Sequence, residues 1–174
     1  FTNRGSIQMR GTDATFTGGT ITNTGTLYGS GRVAARITNT TGTVRAEGGQ
    51  LTLAATGNTN AAGARLEVLA GATMFFTEGL ATNSGLIEIK GGTFDNNRWA
   101  LTNNGSIKGS GVLRYGSLIN NGTIDTGFSP GHLVIFSDLV QGADGNMKVE
   151  IAGLVPGDLH GFDLIDVNDG SVVL

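Results

Sequence analysis

Apolar and polar residues alternate along this chain in short runs: Ser6-Ile7-Gln8-Met9-Arg10, Gly31-Arg32-Val33-Ala34-Ala35, Arg65-Leu66-Glu67-Val68-Leu69 and Lys148-Val149-Glu150-Ile151. A period of two turns one side chain inward and the next outward, so each run predicts a half-buried strand. Apolar spacing of the helical kind is nowhere sustained, and no segment of ten or more residues predicts a helix. Between the runs stand Gly, Asn and Asp, which supply the positive-φ and bridge conformations that corners need.

A phrase punctuates the runs: Asn, one or two residues, Gly, a small residue, then Ile, Leu or Val. It begins at Asn3, Asn23, Asn39, Asn83, Asn103 and Asn120, with a looser copy from Asn60 to Leu66. Recurrence at about 17–22 residues, with two or three strands per repeat, predicts the coils of a parallel β-helix, a β-solenoid. Equivalent residues of successive coils then stack roughly 4.8 Å apart. Inward Ile, Leu and Val form apolar columns, and the corner asparagines form a ladder of side-chain amides like those of cross-β assemblies. Stacked carboxylates would repel, which accounts for Asn rather than Asp at the corner. Gly5, Gly25 and Gly42 map onto Gly85, Gly105 and Gly122 with one shift of about 80 residues, and the triplet Gly29-Ser30-Gly31 maps onto Gly109-Ser110-Gly111. Residues 1–127 therefore read as coils with Asn-x-Gly corners in two in-register blocks. Residues 128–174, where the phrase stops, read as continuing, longer coils with a different and acidic pattern.

Composition adjusts this picture in two ways. Glycine numbers 30 and charged residues make up only 14%, yet a hydrophobic fraction of 39% in regular runs argues for a buried core rather than disorder. The net charge of −3 hides an asymmetry, because ten of the 11 basic side chains precede residue 125, whereas eight of the 14 acidic ones lie from Asp125 onward. No basic stripe with aromatic platforms accompanies this, so nucleic-acid binding is not expected. No apolar run approaches a membrane span, so direct membrane insertion is not expected either. Cysteine is absent, which a long solenoid core tolerates even outside the cell. The chain opens inside a repeat and stops inside a strand, and it is expected to be a segment of a longer protein.

Ser129-Pro130-Gly131 followed by a strand, Val149-Glu150-Ile151-Ala152-Gly153, Pro156-Gly157 and Asp163 to Val167, together with the upstream Thr22-Asn23-Thr24-Gly25-Thr26-Leu27-Tyr28-Gly29-Ser30-Gly31, resemble the bacterial autotransporter passengers and related secreted β-strand-repeat, adhesin-like proteins. The resemblance covers nearly the whole chain. It implies a right-handed parallel β-helix, export to the bacterial surface or medium, and work as an adhesin, biofilm component or stalk.

Candidate chemistry is sparse. Some β-helices cleave polysaccharides with carboxylates from neighbouring coils, for which Glu67, Glu88, Asp95 and Asp125 are the candidates. None forms a local pair, and Lys90, Lys108 and Arg114 are the cations that would have to join them. His132 and His160 lie in no nucleophile motif, and Ser129 before Pro130 reads as a turn residue. Asp166-Val167-Asn168-Asp169-Gly170 offers alternate oxygen ligands but lacks the rest of a calcium loop, so no metal or cofactor is expected. Thr2, Thr22, Thr38, Thr82 and Thr102 stand before corner asparagines, where their hydroxyls are expected to support turns rather than form an ice-binding face. Among Phe75, Phe76, Phe94, Trp99 and Tyr115, Trp99 in a polar loop is the candidate carbohydrate contact, with an inter-coil staple as its structural alternative. The expectation is a non-catalytic, extracellular structural or adhesive segment. Its partners would be other copies or neighbouring solenoid segments, and surface glycans or a host or cell-surface protein. The alternative is a polysaccharide-active or carbohydrate-binding β-helix.

Overall fold

A computed structural model describes residues 1–127, 130–151, 153–154 and 161–174. Their 19 strands hydrogen-bond into one continuous sheet, and every strand pairing is parallel, apart from an isolated antiparallel bridge between Ile151 and Phe162. The chain is a β-solenoid of about seven turns, with no helix among the described residues. Ser129, the turn expected at Pro156, and His160 lie outside the described residues.

Each coil has three faces. A threonine face runs into the Asn corner and includes Thr20–Asn23, Arg36–Asn39 and Leu101–Asn103. A charged face follows the corner and includes Ser6–Met9, Arg65–Leu69 and Thr123–Asp125. A mixed face, with Thr73–Phe76 and Leu164–Asn168, closes the coil. Longer strands such as Thr43–Leu53 and Ser106–Asn120 bend through a corner and serve two faces or more. Glycine makes the bend between the charged and mixed faces. Gly29 and Gly31 have φ of 113° and 137°, and their counterparts Gly109 and Gly111 have 116° and 139°.

Between the faces runs one apolar core. Ile21, Leu27, Leu51, Ile87, Ile107, Leu118 and Ile135 are all completely buried within it. At the corner between the mixed and threonine faces the core holds an aromatic stack, with Phe76 and Phe94 5.3 Å apart and Phe94 and Tyr115 5.7 Å apart. Phe76, Phe94 and Tyr115 are thus core residues, which removes them as sugar platforms. Burial pushes the Tyr115 phenol well above its ordinary pKa, and its oxygen is the one buried side-chain polar atom without a partner among the described residues. Replacing Tyr115 with Phe removes a desolvated hydroxyl while keeping the ring. It is expected to raise stability by about 1 kcal/mol, measurable in urea unfolding.

The coils are less uniform than the sequence spacing suggested. Successive corner amides lie between 16 residues apart (Asn23 to Asn39) and 23 apart (Asn60 to Asn83). The last coil is longer, with 32 residues between Gly131 and Asp163. Burial would raise the pKa of the Asp163 carboxyl, but hydrogen bonds from the Thr126 hydroxyl and the Gly131 and Glu150 amides outweigh it and hold it below the usual range. This carboxylate ties the longer coil to the one before it.

Candidate functional site

The six corner asparagines stand in one file, joined by two residues that the sequence marked weakly or not at all. Each side-chain nitrogen donates to the side-chain oxygen one coil further on: Asn3 to Asn23 at 2.8 Å, Asn23 to Asn39 at 2.8 Å and Asn39 to Asn60 at 2.9 Å. The file continues from Asn60 to Asn83 at 2.7 Å, Asn83 to Asn103 at 2.8 Å, Asn103 to Asn120 at 2.8 Å and Asn120 to Gln141 at 3.0 Å. The same nitrogens also donate to a backbone carbonyl of the next coil, as Asn23 does to Thr43 and Asn103 to Thr123. From Asn23 to Asn120 the amides are buried, so unmade bonds would cost the full desolvation of the group. Two further buried amides, Asn58 and Asn96, secure the opposite corner singly: Asn58 accepts from the Ile37 amide and Asn96 from the Leu80 amide.

On the charged face the carboxylates come together in a way their spacing hid. Glu67 and Glu88 occupy the same position in adjacent coils, which corrects the reading that no pair forms. Contacts in a solenoid join residues one coil apart, so a local search does not reveal them. Lys90 bridges the two, its Nζ lying 2.5 Å from Glu67 and 3.2 Å from Glu88. Arg65 reaches Glu88 at 3.2 Å and Arg45 lies 3.9 Å from Glu67. Lys108 pairs with Asp125 at 3.8 Å in the next coils. The hydrogen bond to Glu67, followed by that to Glu88, raises the Lys90 pKa against the opposing effect of burial. Both carboxylates are thus engaged by basic side chains of the same face. Asp95 lies on the mixed face, where its Oδ1 accepts from the Asn97 amide, and Arg114 lies there too, over Phe136. Arg114 is therefore set apart from Lys90 and Lys108, which share the charged face, Lys108 standing in register with Glu88 in the next coil.

Replacing Lys90 with Met is expected to cost about 2 kcal/mol near neutral pH, because it leaves two largely buried carboxylates facing each other; partial exposure of Lys90 keeps the figure below that of a deeply buried pair. The Lys90 contribution is fully present below its unfolded pKa, about 10.4, and is lost as pH rises through the higher folded value. Thermal unfolding of both proteins across the alkaline range should therefore show the difference shrinking with pH.

The remaining candidates are dispersed. Thr2, Thr22, Thr38 and Thr59 pair in register, as do Thr82 and Thr102, and the file then passes to Ile119 and Val140. The hydroxyls that bond the corner backbone belong instead to Thr24 and Thr40, which follow the corner asparagines. This corrects the expectation for the preceding threonines, which point away from the turn because they stand on the strand. Trp99 is 52% exposed, and its Cβ sits so close over Gly79 that a side chain there would collide with it. It covers the coil below. His132 stands 3.9 Å from Asp166, and Asn168 donates to Asp166. No group of three or more potential metal ligands occurs among the described residues.

One further concavity was not foreseen. A groove of about 770 Å³ runs along the corner between the mixed and threonine faces, bordered by the 95–98 turn, Arg114, Phe136, Asp138 and Asp169. Hydrogen bonds from the Ser171 backbone and then its side chain hold the Asp138 carboxyl below its usual range. No protein-family model, no curated protein and no solved structure matches the chain.

Proposed function

We propose that this chain is a non-catalytic structural or adhesive rod, an extracellular segment of a secreted or bacterial surface protein of the autotransporter-passenger kind. The observation that carries this reading is the unbroken amide file from Asn3 to Gln141. Together with the continuous core, it couples every coil to the next and resists both bending and local opening. The engaged state of Glu67 and Glu88 favours a scaffold over a hydrolase. Copies of the chain, or neighbouring solenoid segments, are the proposed partners. Apolar residues left exposed at the last strands, among them Val172 and Val173, support such an end contact.

Proteolysis tests the rod: native protein with its 11 basic residues should resist trypsin at its corners, and rapid cleavage between coils would overturn the reading. Sedimentation velocity over a range of concentrations tests the partner. Linear multimers are expected, and a monomer at every concentration would remove self-assembly.

A further inference from the structure

We propose that the groove along the corner between the mixed and threonine faces binds an oligosaccharide, with Arg98, Arg114 and the ring of Phe136 as its principal contacts. This assigns the rod a lateral ligand site and stands independently of its mechanical role.

The groove follows the long axis. Asp95, Arg114, Phe136 and Asn168 pair in register on four successive coils, a length of roughly 14 Å at the usual strand spacing. A short glycan lying parallel to the axis would meet a new side chain at each coil.

The backbone around it is held in place. Asn97, Arg98 and Asp169, with φ of 51°, 61° and 58°, are the only non-glycine residues with positive φ among those described, and all three border this groove. Such a conformation costs a residue like Arg98 about 1 kcal/mol or more, and less for Asn and Asp, and it persists where the surroundings enforce it, often at binding sites. Here the enforcement is visible. Asp95 Oδ1 accepts from the Asn97 amide at 2.8 Å, and the Asn97 side chain donates to the Thr77 carbonyl at 2.8 Å. Gly116 packs against the Arg98 carbonyl with no room for a Cβ.

The polar groups suit a polyol. Neither Arg98 nor Arg114 forms an ion pair among the described residues, and the Arg114 guanidinium lies 5.5 Å over the Phe136 ring. The Asp95 and Asp138 carboxylates each use Oδ1 for backbone amides. Interleaved donors and acceptors do not select an ion of either sign, but they match hydroxyl groups, which donate and accept at once. The half-buried Phe136 ring, with the Arg114 guanidinium over it, adds the apolar part of the border, against which the C–H groups of a sugar would pack. Trp99 is not among the residues that border the groove.

The test is calorimetric titration of the whole chain with soluble hexasaccharides, one neutral set and one uronate-bearing set, with inorganic sulfate as competitor. Saturable binding of at least one set is expected, undisturbed by sulfate. Arg98→Gly and Arg114→Gln should each weaken it about tenfold or more, the usual consequence of losing a charged hydrogen bond. Glycine accepts positive φ freely, so Arg98→Gly should keep the thermal unfolding of the parent while losing affinity. Failure of every saccharide to saturate, equal binding by both variants, or displacement by sulfate would each overturn the proposal.

Discussion

Replacing Asn83 with Asp is expected to destabilise the protein by about 4–5 kcal/mol at neutral pH, a large part of the total stability of an ordinary domain. The Asn83 nitrogen donates to Gly85, Asn103 and Ser106 oxygens at 3.0, 2.8 and 3.3 Å. A carboxylate in its place faces those same three acceptors, has no proton to offer, and is completely buried. Low pH should rescue it. A buried carboxyl among acceptors is held protonated, so its folded pKa lies above the unfolded value of about 3.9. Relative to neutral pH, its stability is then highest below that unfolded value and falls as pH rises through the folded pKa. Urea unfolding of Asn83→Asp and the parent at neutral and acid pH checks this. A penalty that does not shrink on acidification would mean that the file contributes little.

Glycine at the stacked corners should be equally intolerant, and selectively so. A Cβ at Gly109 would fall on the Ile89 carbonyl oxygen, and φ there is +116°. Both obstacles are backbone, so no rotamer change relieves them, and Gly109→Ala is expected to cost more than about 3 kcal/mol. Gly63 also has positive φ, +85°, but a Cβ there meets nothing within 4 Å. Gly63→Ala should therefore cost about 1 kcal/mol, the conformational penalty alone. Thermal unfolding of the two variants separates close coil stacking from backbone preference, because both remove the same residue type. Similar losses in the two would sink the stacking account.

Much of the fold was legible because stacking makes the same demand at the same place in every coil. Ile7, Leu27, Val44 and Ile87 read as inward positions since each follows a corner Gly by two residues, and the corner phrase marked six members of the amide file. The other two were marked loosely or not at all, for local reasons. Asn60 is followed by two alanines before its glycine, which loosens the phrase, and Gln141 fills an asparagine's role with a longer side chain. Glu67 and Glu88 were visible as charges but not as neighbours, since adjacency between coils depends on every insertion in the intervening one. The groove was least legible of all. It draws on turns of different length in four coils, and on Arg98 adopting a left-handed backbone conformation that its residue type does not favour.

The direction of the amide file has an evolutionary consequence. Every donor points toward the following coil, so a coil inserted in the same orientation, from one corner asparagine to the residue before the next, presents the expected acceptor behind it and the expected donor ahead. Coils are thus exchangeable parts with matched couplings. Lengthening or shortening the rod by whole units leaves the junction chemistry unchanged, while a change by part of a unit breaks it.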